Sequence, residues 1–191
     1  MKNVIKWMMP LSVAILVSSC NAQNNSNHKH EDAQEQQQAD TPSGHEAMDM
    51  GQETSAKVIV KDDRLNAVYQ HYLHLTNALT NSDRAEAKIA SLAIETGLQE
   101  ISKGSKSAKT ASQIAESNDL EKQRELYSSL SNDFIPMIKT AGLTSGELYV
   151  DFCPMANQNK GAYWLTANKE IKNPYMGSKM MTCGSIKETI K

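Results

Sequence analysis

Sulfur-bearing residues that can bind a soft metal ion or form a disulfide are concentrated near the C-terminus of this sequence. Both cysteines beyond residue 20 and four of the ten methionines lie between residues 149 and 184: Cys153, Met155, Met176, Met180, Met181 and Cys183. Thiolate and thioether sulfurs select Cu(I) and similar ions over Ca²⁺ or Mg²⁺, whereas two cysteines in an oxidising compartment commonly form a disulfide. The stretch is therefore interpreted either as a soft-metal site or as a disulfide staple.

The spacing of these residues indicates how they could converge. Cys153 and Met155 are two residues apart, so an extended backbone would point both side chains to one side. Met181 and Cys183 have the same spacing, whereas Met180 and Cys183 are three apart, which suits a turn. The pattern is not typical of zinc, because it has no Cys-x-x-Cys and no histidine beside the cysteines. Any single methionine could instead fill a gap in the core.

The N-terminus resembles that of a bacterial lipoprotein. A short apolar run follows Lys6, and Val17-Ser18-Ser19-Cys20 resembles a lipobox, in which the leader is cut before a cysteine that is then acylated. Residues 1–19 are therefore predicted to be a signal peptide and Cys20 a lipidation site, with an ordinary secretory signal as the alternative. Both interpretations imply export. Lipidation would anchor the protein to a membrane of the cell envelope, with its domain facing the periplasm.

Residues 20–56 are predicted to form a disordered polar tether. They are rich in Asn, Gln, Glu and Asp and nearly free of aliphatic residues, so they cannot bury a core. The tether also contains imidazole and thioether groups, which are copper ligands. These secondary metal candidates are His45, Met48 and Met50. The alternative is a solvated linker in which they are incidental.

Helical periodicity dominates residues 57–142. Apolar residues recur at three- and four-residue intervals in four segments with short polar connections. Aspartates that can cap helix N-termini precede three of the segments: Asp62 or Asp63, Asp83 and Asp119. The second segment should end near Gly104, and its predicted apolar stripe consists of Ile89, Leu92, Ala93, Leu98 and Ile101. Short connections between four helices predict an antiparallel bundle.

The pattern changes after Gly142. Residues 147–152 and 162–165 are short β-like runs, and they are joined and followed by turn-forming sequences rich in Asn, Gly and Pro. The chain is therefore predicted to be mainly α, an antiparallel bundle of about four helices followed by a small, irregular, β-rich C-terminal cap. The bundle would occupy residues 57–142 and the cap residues 143–191.

Composition and motifs argue against several functions. The net charge of −2 offers no basic surface for nucleic acid, and aromatic residues make up only 5% of the chain. The sequence contains no nucleophile elbow, phosphate-binding loop or paired-carboxylate motif, and a thiol–disulfide oxidoreductase would usually show Cys-x-x-Cys. We therefore expect no enzymatic activity and no nucleic-acid partner.

Two other groups are explained more simply by structure than by function. His71 and His74 are spaced to chelate on one side of the first helix, but they lie off its apolar stripe, which favours an exposed polar face. Trp164 could stack over a bound cation, but a tryptophan in a small domain more commonly belongs to the core.

Several motifs occur in an order that resembles a known family. They are Gln123-Arg124 with Tyr127 and Leu130-Ser131, Cys153-Pro154-Met155-Ala156, Gly161-Ala162-Tyr163-Trp164-Leu165, Ile171-Lys172-Asn173-Pro174-Tyr175 and Met180-Met181-Thr182-Cys183-Gly184. Over about residues 62–190 the chain resembles the DUF3347 family of exported bacterial proteins, many of them lipoproteins. The domain also resembles a module found with membrane-fusion subunits of copper and silver efflux systems, which implies a heavy-metal efflux complex as partner.

The same resemblance ranks the candidate metal ligands. The family pattern has its methionine at position 180, with an aliphatic residue usual at 181. On this basis the first-ranked ligands are Cys153, Met155, Met180 and Cys183, and those ranked behind them are Met181 and Met176.

Two functions follow from these observations. The first is a lipid-anchored cell-envelope protein that binds Cu(I) or Ag(I) and acts in metal resistance or efflux. The second is a non-catalytic interaction module, stapled by a Cys153–Cys183 disulfide, that docks on an envelope protein. The two are compatible over time, because a disulfide would block the metal site and reduction would open it.

Overall fold

Four helices follow one another in the computed structural model, which describes residues 57–191. They are α1 (Asp63–Thr80), α2 (Arg84–Gln99), α3 (Ser105–Glu116) and α4 (Leu120–Ala141). Each helix packs against the next along the chain, as short connections between antiparallel helices require. The predicted helical bundle is confirmed.

Aspartate side chains cap three of these helices. Asp62 accepts a hydrogen bond from the backbone N–H of Leu65 at 2.8 Å, and Asp83 and Asp119 cap α2 and α4 in a similar way. At its other end α4 is closed by Gly142, whose φ of 74° suits glycine. The predicted end of α2 was too late, because α2 stops at Gln99 and Gly104 precedes α3.

The predicted apolar stripe of α2 is partly wrong. Ile89 and Leu92 are 56% and 53% exposed. The buried face instead consists of Ala87, Ala90, Ser91, Ile94 and Leu98. Because α2 packs against both α1 and α3, small side chains on its buried face let two neighbouring helices approach closely.

The strands form two antiparallel pairings. β1 (Ile59–Val60) pairs with β2 (Leu143–Ser145), so the start of the domain lies beside the start of the cap. A three-stranded sheet has the order β4-β3-β5, with β3 (Leu148–Cys153) between β4 (Ala162–Thr166) and β5 (Ser185–Ile190). The two predicted β-like runs are confirmed as β3 and β4, whereas β1, β2 and β5 were not predicted.

A run of buried aromatic rings joins the bundle to the cap. Tyr72 of α1 stacks on Phe134 of α4 with ring centroids 4.8 Å apart. Tyr127 of α4 contacts Tyr175 at 5.4 Å, and Tyr175 meets the edge of Trp164 in β4 at 5.9 Å. The cap therefore shares its core with the helices, and its loops are held on a rigid base.

The predicted signal peptide, the lipidation site Cys20 and the tether residues His45, Met48 and Met50 lie outside the described residues. Among the helices from residue 57 onward, none has the length and apolar character needed to cross a lipid bilayer.

Candidate functional site

The two cysteines of the cap face each other. Cys153 is the last residue of β3 and is wholly buried, whereas Cys183 lies just before β5 and is half-buried. Their Sγ atoms are 2.8 Å apart, and both residues are free thiols. The hydrogen bond to Cys153 raises the pKa of the Cys183 thiol, and burial raises it further. A neutral Cys183 is therefore favoured near pH 7.

Strand register explains why residues 30 positions apart meet. β3 and β5 run antiparallel, with Phe152 paired to Ser185. Cys153 is the next residue along β3, and Cys183 is two residues before Ser185, so both lie at the same end of the sheet.

Asn173 ties together the loop that carries Cys183. This wholly buried side chain donates a hydrogen bond from Nδ2 to the Cys183 carbonyl at 2.6 Å. Its Oδ1 accepts from the backbone N–H groups of Tyr175 and Met176 at 2.8 and 3.1 Å. The backbone N–H of Asn173 donates to the Met181 carbonyl at 2.8 Å. Asn173 thus holds the start of the loop, at Tyr175 and Met176, and its end, at Met181 and Cys183.

Arg124 attaches the same loop to the helices. Its side chain is only 5% exposed, and its Nε donates to the Pro174 carbonyl at 2.9 Å. Nη2 donates to the Leu79 carbonyl and to Ser82 Oγ, each at 3.0 Å. Nη1 pairs with Glu121 at 2.9 Å. From the sequence, Asn173 and Arg124 were singled out only as members of motifs and turns, although a charged residue on the buried face of a predicted helix was a usable signal for a structural role.

The four candidate methionines have different surroundings. Met155 and Met180 are 44% and 37% exposed, so core filling does not account for either of them. Met176 and Met181 are half-buried, and Met176 packs against the core. The backbone N–H of Cys183 donates to the Met180 carbonyl at 3.1 Å, which forms the turn predicted from their spacing.

The predicted extended arrangement of Cys153 and Met155 is wrong. β3 ends at Cys153, and Met155 has helical backbone angles, φ −87° and ψ −12°. One side chain is therefore buried and the other exposed. Met181 likewise lies in a turn rather than a strand. The Met155 backbone still lies beside the Cys183 thiol. It lowers the pKa of that thiol, but by less than Cys153 and burial raise it.

A cavity of about 300 Å³ lies beside the first turns of α4, and Met155 and Met176 both line it. Glu121 and Glu125 are also in its wall, but each is paired with a cation of the same helix, Glu121 with Arg124 and Glu125 with Lys122. The cavity therefore brings two thioethers together, whereas the cysteines are not part of its lining.

Within residues 57–191, no three or more His, Cys, Asp and Glu side chains form a group that could hold a metal ion. A soft-metal site in this part of the chain would have to combine the cysteines with methionine sulfur. His71 and His74 are exposed, and His74 Nε2 lies 2.8 Å from Glu86 Oε2. Trp164 is wholly buried in the core, as its simpler interpretation predicted.

Two further side chains with polar groups are wholly buried. Asp151, in the middle of β3, is wholly buried with no hydrogen-bond partner for either carboxylate oxygen, and burial raises its pKa to about 7. Tyr72 is also wholly buried, and its hydroxyl contacts Ser131 Oγ at 2.7 Å and accepts from the Leu165 N–H at 3.2 Å. The Tyr72 hydroxyl links α1 to α4 and β4, a contact that local sequence patterns do not reveal.

The fold and the thiol pair define a helical domain with a small C-terminal sheet, in which Cys153 at the end of β3 faces Cys183 on a loop held by Asn173 and Arg124. Residues 68–146 match the family model DUF3347, described as a protein of unknown function. These residues therefore resemble the DUF3347 family. The matched residues extend from α1 to just past β2, so the cap motifs that contain both cysteines lie beyond them. No curated protein and no solved structure matches the chain.

Proposed function

We propose that this is a cell-envelope protein, anchored by lipid at Cys20, that binds Cu(I) or Ag(I) in its C-terminal cap and acts in metal resistance or efflux. One observation carries the proposal: two exposed thioethers, those of Met155 and Met180, belong to residues whose backbones contact Cys183, opposite a second thiol. Packing does not explain these exposed side chains, and soft sulfur donors select Cu(I) over hard cations.

The thiol pair fits a soft ion after a small adjustment. Two thiolates bound at about 2.3 Å to one tetrahedral ion lie roughly 3.8 Å apart, whereas the Cys153 and Cys183 sulfurs are 2.8 Å apart. The Cys183 side chain is the one able to move, because it is half-buried and the residue lies outside the strands. Binding would displace the thiol protons, so affinity should rise with pH.

The methionines would complete the donor set. Met155 and Met180 are the first candidates because of their exposure and their backbone contacts with Cys183. Met176 and Met181 remain behind them, since both are half-buried. In the tether, His45, Met48 and Met50 would capture ions for the cap, and an efflux complex would be the recipient.

The proposal is tested by titrating the reduced chain from residue 21 onward with Cu(I) under a competing chelator. We expect one tightly bound ion, and Met155→Leu should weaken binding about tenfold or more while hardly changing stability, because the two side chains have similar volumes. Met137→Leu, a half-buried methionine of α4, is the matched control. Absence of binding by the fully reduced protein would overturn the proposal.

A second function is favoured by the burial of Cys153 and by the short distance between the sulfurs. On this alternative, the pair is a permanent disulfide that staples an interaction module docking on another envelope protein. Counting free thiols in protein purified from the periplasm distinguishes the two. No free thiols before reduction, together with no Cu(I) binding after it, would favour the stapled module.

A further inference from the structure

We infer that Asn173 is the positioning residue of the thiol pair: its side-chain amide holds Cys183 against Cys153 and so controls how readily the two sulfurs join. The inference rests on the proposed function, because that function makes the thiol pair part of the metal site. It concerns the thiol–disulfide equilibrium, which can be measured in the absence of any metal ion.

The backbone of Cys183 is held through both its N–H and its carbonyl. Its N–H makes only a local turn, to the Met180 carbonyl at 3.1 Å. Its carbonyl is held by Asn173 Nδ2 at 2.6 Å, across ten residues. Regular strand pairing begins only at Ser185. Among residues 57–191, the Asn173 amide is thus the long-range backbone anchor of Cys183.

Asn173 is itself held firmly enough to serve as an anchor. It is wholly buried, and its Oδ1 accepts two backbone hydrogen bonds, from Tyr175 and Met176. The next residue, Pro174, is bonded through its carbonyl to the buried Arg124 of α4. Cys183 is therefore tied through one amide to the helices, while Cys153 is fixed by the sheet.

The way in which Cys183 is held affects how readily the two cysteines are oxidised to a disulfide. When a small-molecule disulfide such as glutathione disulfide oxidises the pair, one Sγ–Sγ bond forms, and two electrons and two protons pass to the oxidant, which becomes two thiols. The more firmly Cys183 is placed in the reduced protein, the less conformational entropy is lost when that bond forms. Asn173 should therefore favour the disulfide over the dithiol.

The test is Asn173→Asp in the chain from residue 21 onward, which lacks Cys20, equilibrated in glutathione buffers. The substitution preserves size and the Oδ1 acceptor but removes the Nδ2 donor to Cys183. We expect the equilibrium constant for disulfide formation to fall about tenfold, the usual scale of one lost buried hydrogen bond and about 30 mV in reduction potential. Asn168→Asp is the control, since that exposed residue contributes only its backbone N–H to a hydrogen bond.

If Asn173 had a purely structural role, its replacement would lower the stability of the reduced and oxidised forms equally. The equilibrium constant for disulfide formation would then stay unchanged. Asn173→Ser, whose hydroxyl is too short to reach Cys183, is measured in parallel so that a folding defect in the aspartate variant does not decide the result. A wild-type equilibrium constant in a folded variant at residue 173 would overturn the inference. Failure of the wild-type protein to bind Cu(I) would overturn the proposed function alone.

Discussion

Arg124 and Pro174 are joined by a 2.9 Å hydrogen bond from the guanidinium Nε to the carbonyl oxygen, across 50 residues of sequence. Arg124 lies within residues 68–146, which match the family, whereas Pro174 lies in the cap beyond them. The helical part of the domain therefore holds directly the loop that carries Cys183. Any function of the thiol pair depends on this attachment.

Replacing Arg124 with methionine should destabilise the protein by about 2–4 kcal/mol. The change leaves the buried Pro174 carbonyl without its donor, and an unsatisfied buried polar group costs more than the bond itself is worth. It also removes one of the two donors to the Leu79 carbonyl, which keeps the backbone N–H of Ser82. Urea unfolding of the reduced protein measures the effect, with Lys122→Met on the exposed side of the same helix as control. A loss below 1 kcal/mol would show that the loop is held by other contacts.

Removing the hydroxyl of Tyr72 should cost about 1–3 kcal/mol of stability. This hydroxyl contacts Ser131 and Tyr127 at 2.7 and 2.9 Å and accepts from the Leu165 N–H, so its loss leaves buried polar groups unpaired between α1, α4 and β4. Thermal unfolding of Tyr72→Phe checks this. Tyr163→Phe, at a 40% exposed position, should be nearly neutral, and equal effects of the two changes would contradict the expectation.

Asp151 should make stability fall as pH rises from about 4 to 7. Its pKa is about 7 in the folded protein against a usual value of 3.8, so in this interval the folded state binds a proton that the unfolded state has released. The free energy of unfolding should decrease by up to about 1.4 kcal/mol per pH unit and level off above pH 7.

Asp151→Asn should remove this slope, because the amide does not titrate. Urea unfolding at several pH values provides the measurement, and Asp63→Asn, at an exposed position of α1, should retain the wild-type slope. A wild-type profile that is flat between pH 4 and 7 would show that Asp151 is ionised and accommodated in the core.

Oxidation of the cysteine pair should stabilise the folded protein by roughly 3–4 kcal/mol, because a disulfide closing a loop of 30 residues restricts the unfolded chain. Unfolding of the reduced and oxidised forms in parallel measures the difference. Cys183→Ser should abolish it, since that variant has no partner for Cys153. Equal stabilities of the two forms would mean that strain in the folded state cancels the gain.

Helices were the most predictable part of the fold. Their aspartate caps and their three- and four-residue periodicity are local features, and Asp62, Asp83 and Asp119 act as caps. The exception was the buried face of α2. Ile89 and Leu92 are more hydrophobic than Ala90 and Ser91 but remain exposed, because close packing between two helices selects for size as well as hydrophobicity.

Strands were predictable only where they were apolar. β3 and β4 are mostly buried and rich in hydrophobic and aromatic residues, whereas five of the six residues of β5 are exposed. β5 is an edge strand whose sequence, Ser-Ile-Lys-Glu-Thr-Ile, gives no strong hydrophobic pattern. Its existence depends on pairing with β3, more than 30 residues earlier in the chain.

By itself, the sequence determined the residue types available for chemistry, the positions of the four helices and the change to β structure after Gly142. The tertiary structure alone decided that Cys153 is buried while Met155 is exposed, that the two sulfurs meet at 2.8 Å, and that Asn173 and Arg124 hold the loop between them. Caps and periodicity act within a few residues, whereas these contacts depend on strand register and on loop packing across 10 to 50 residues.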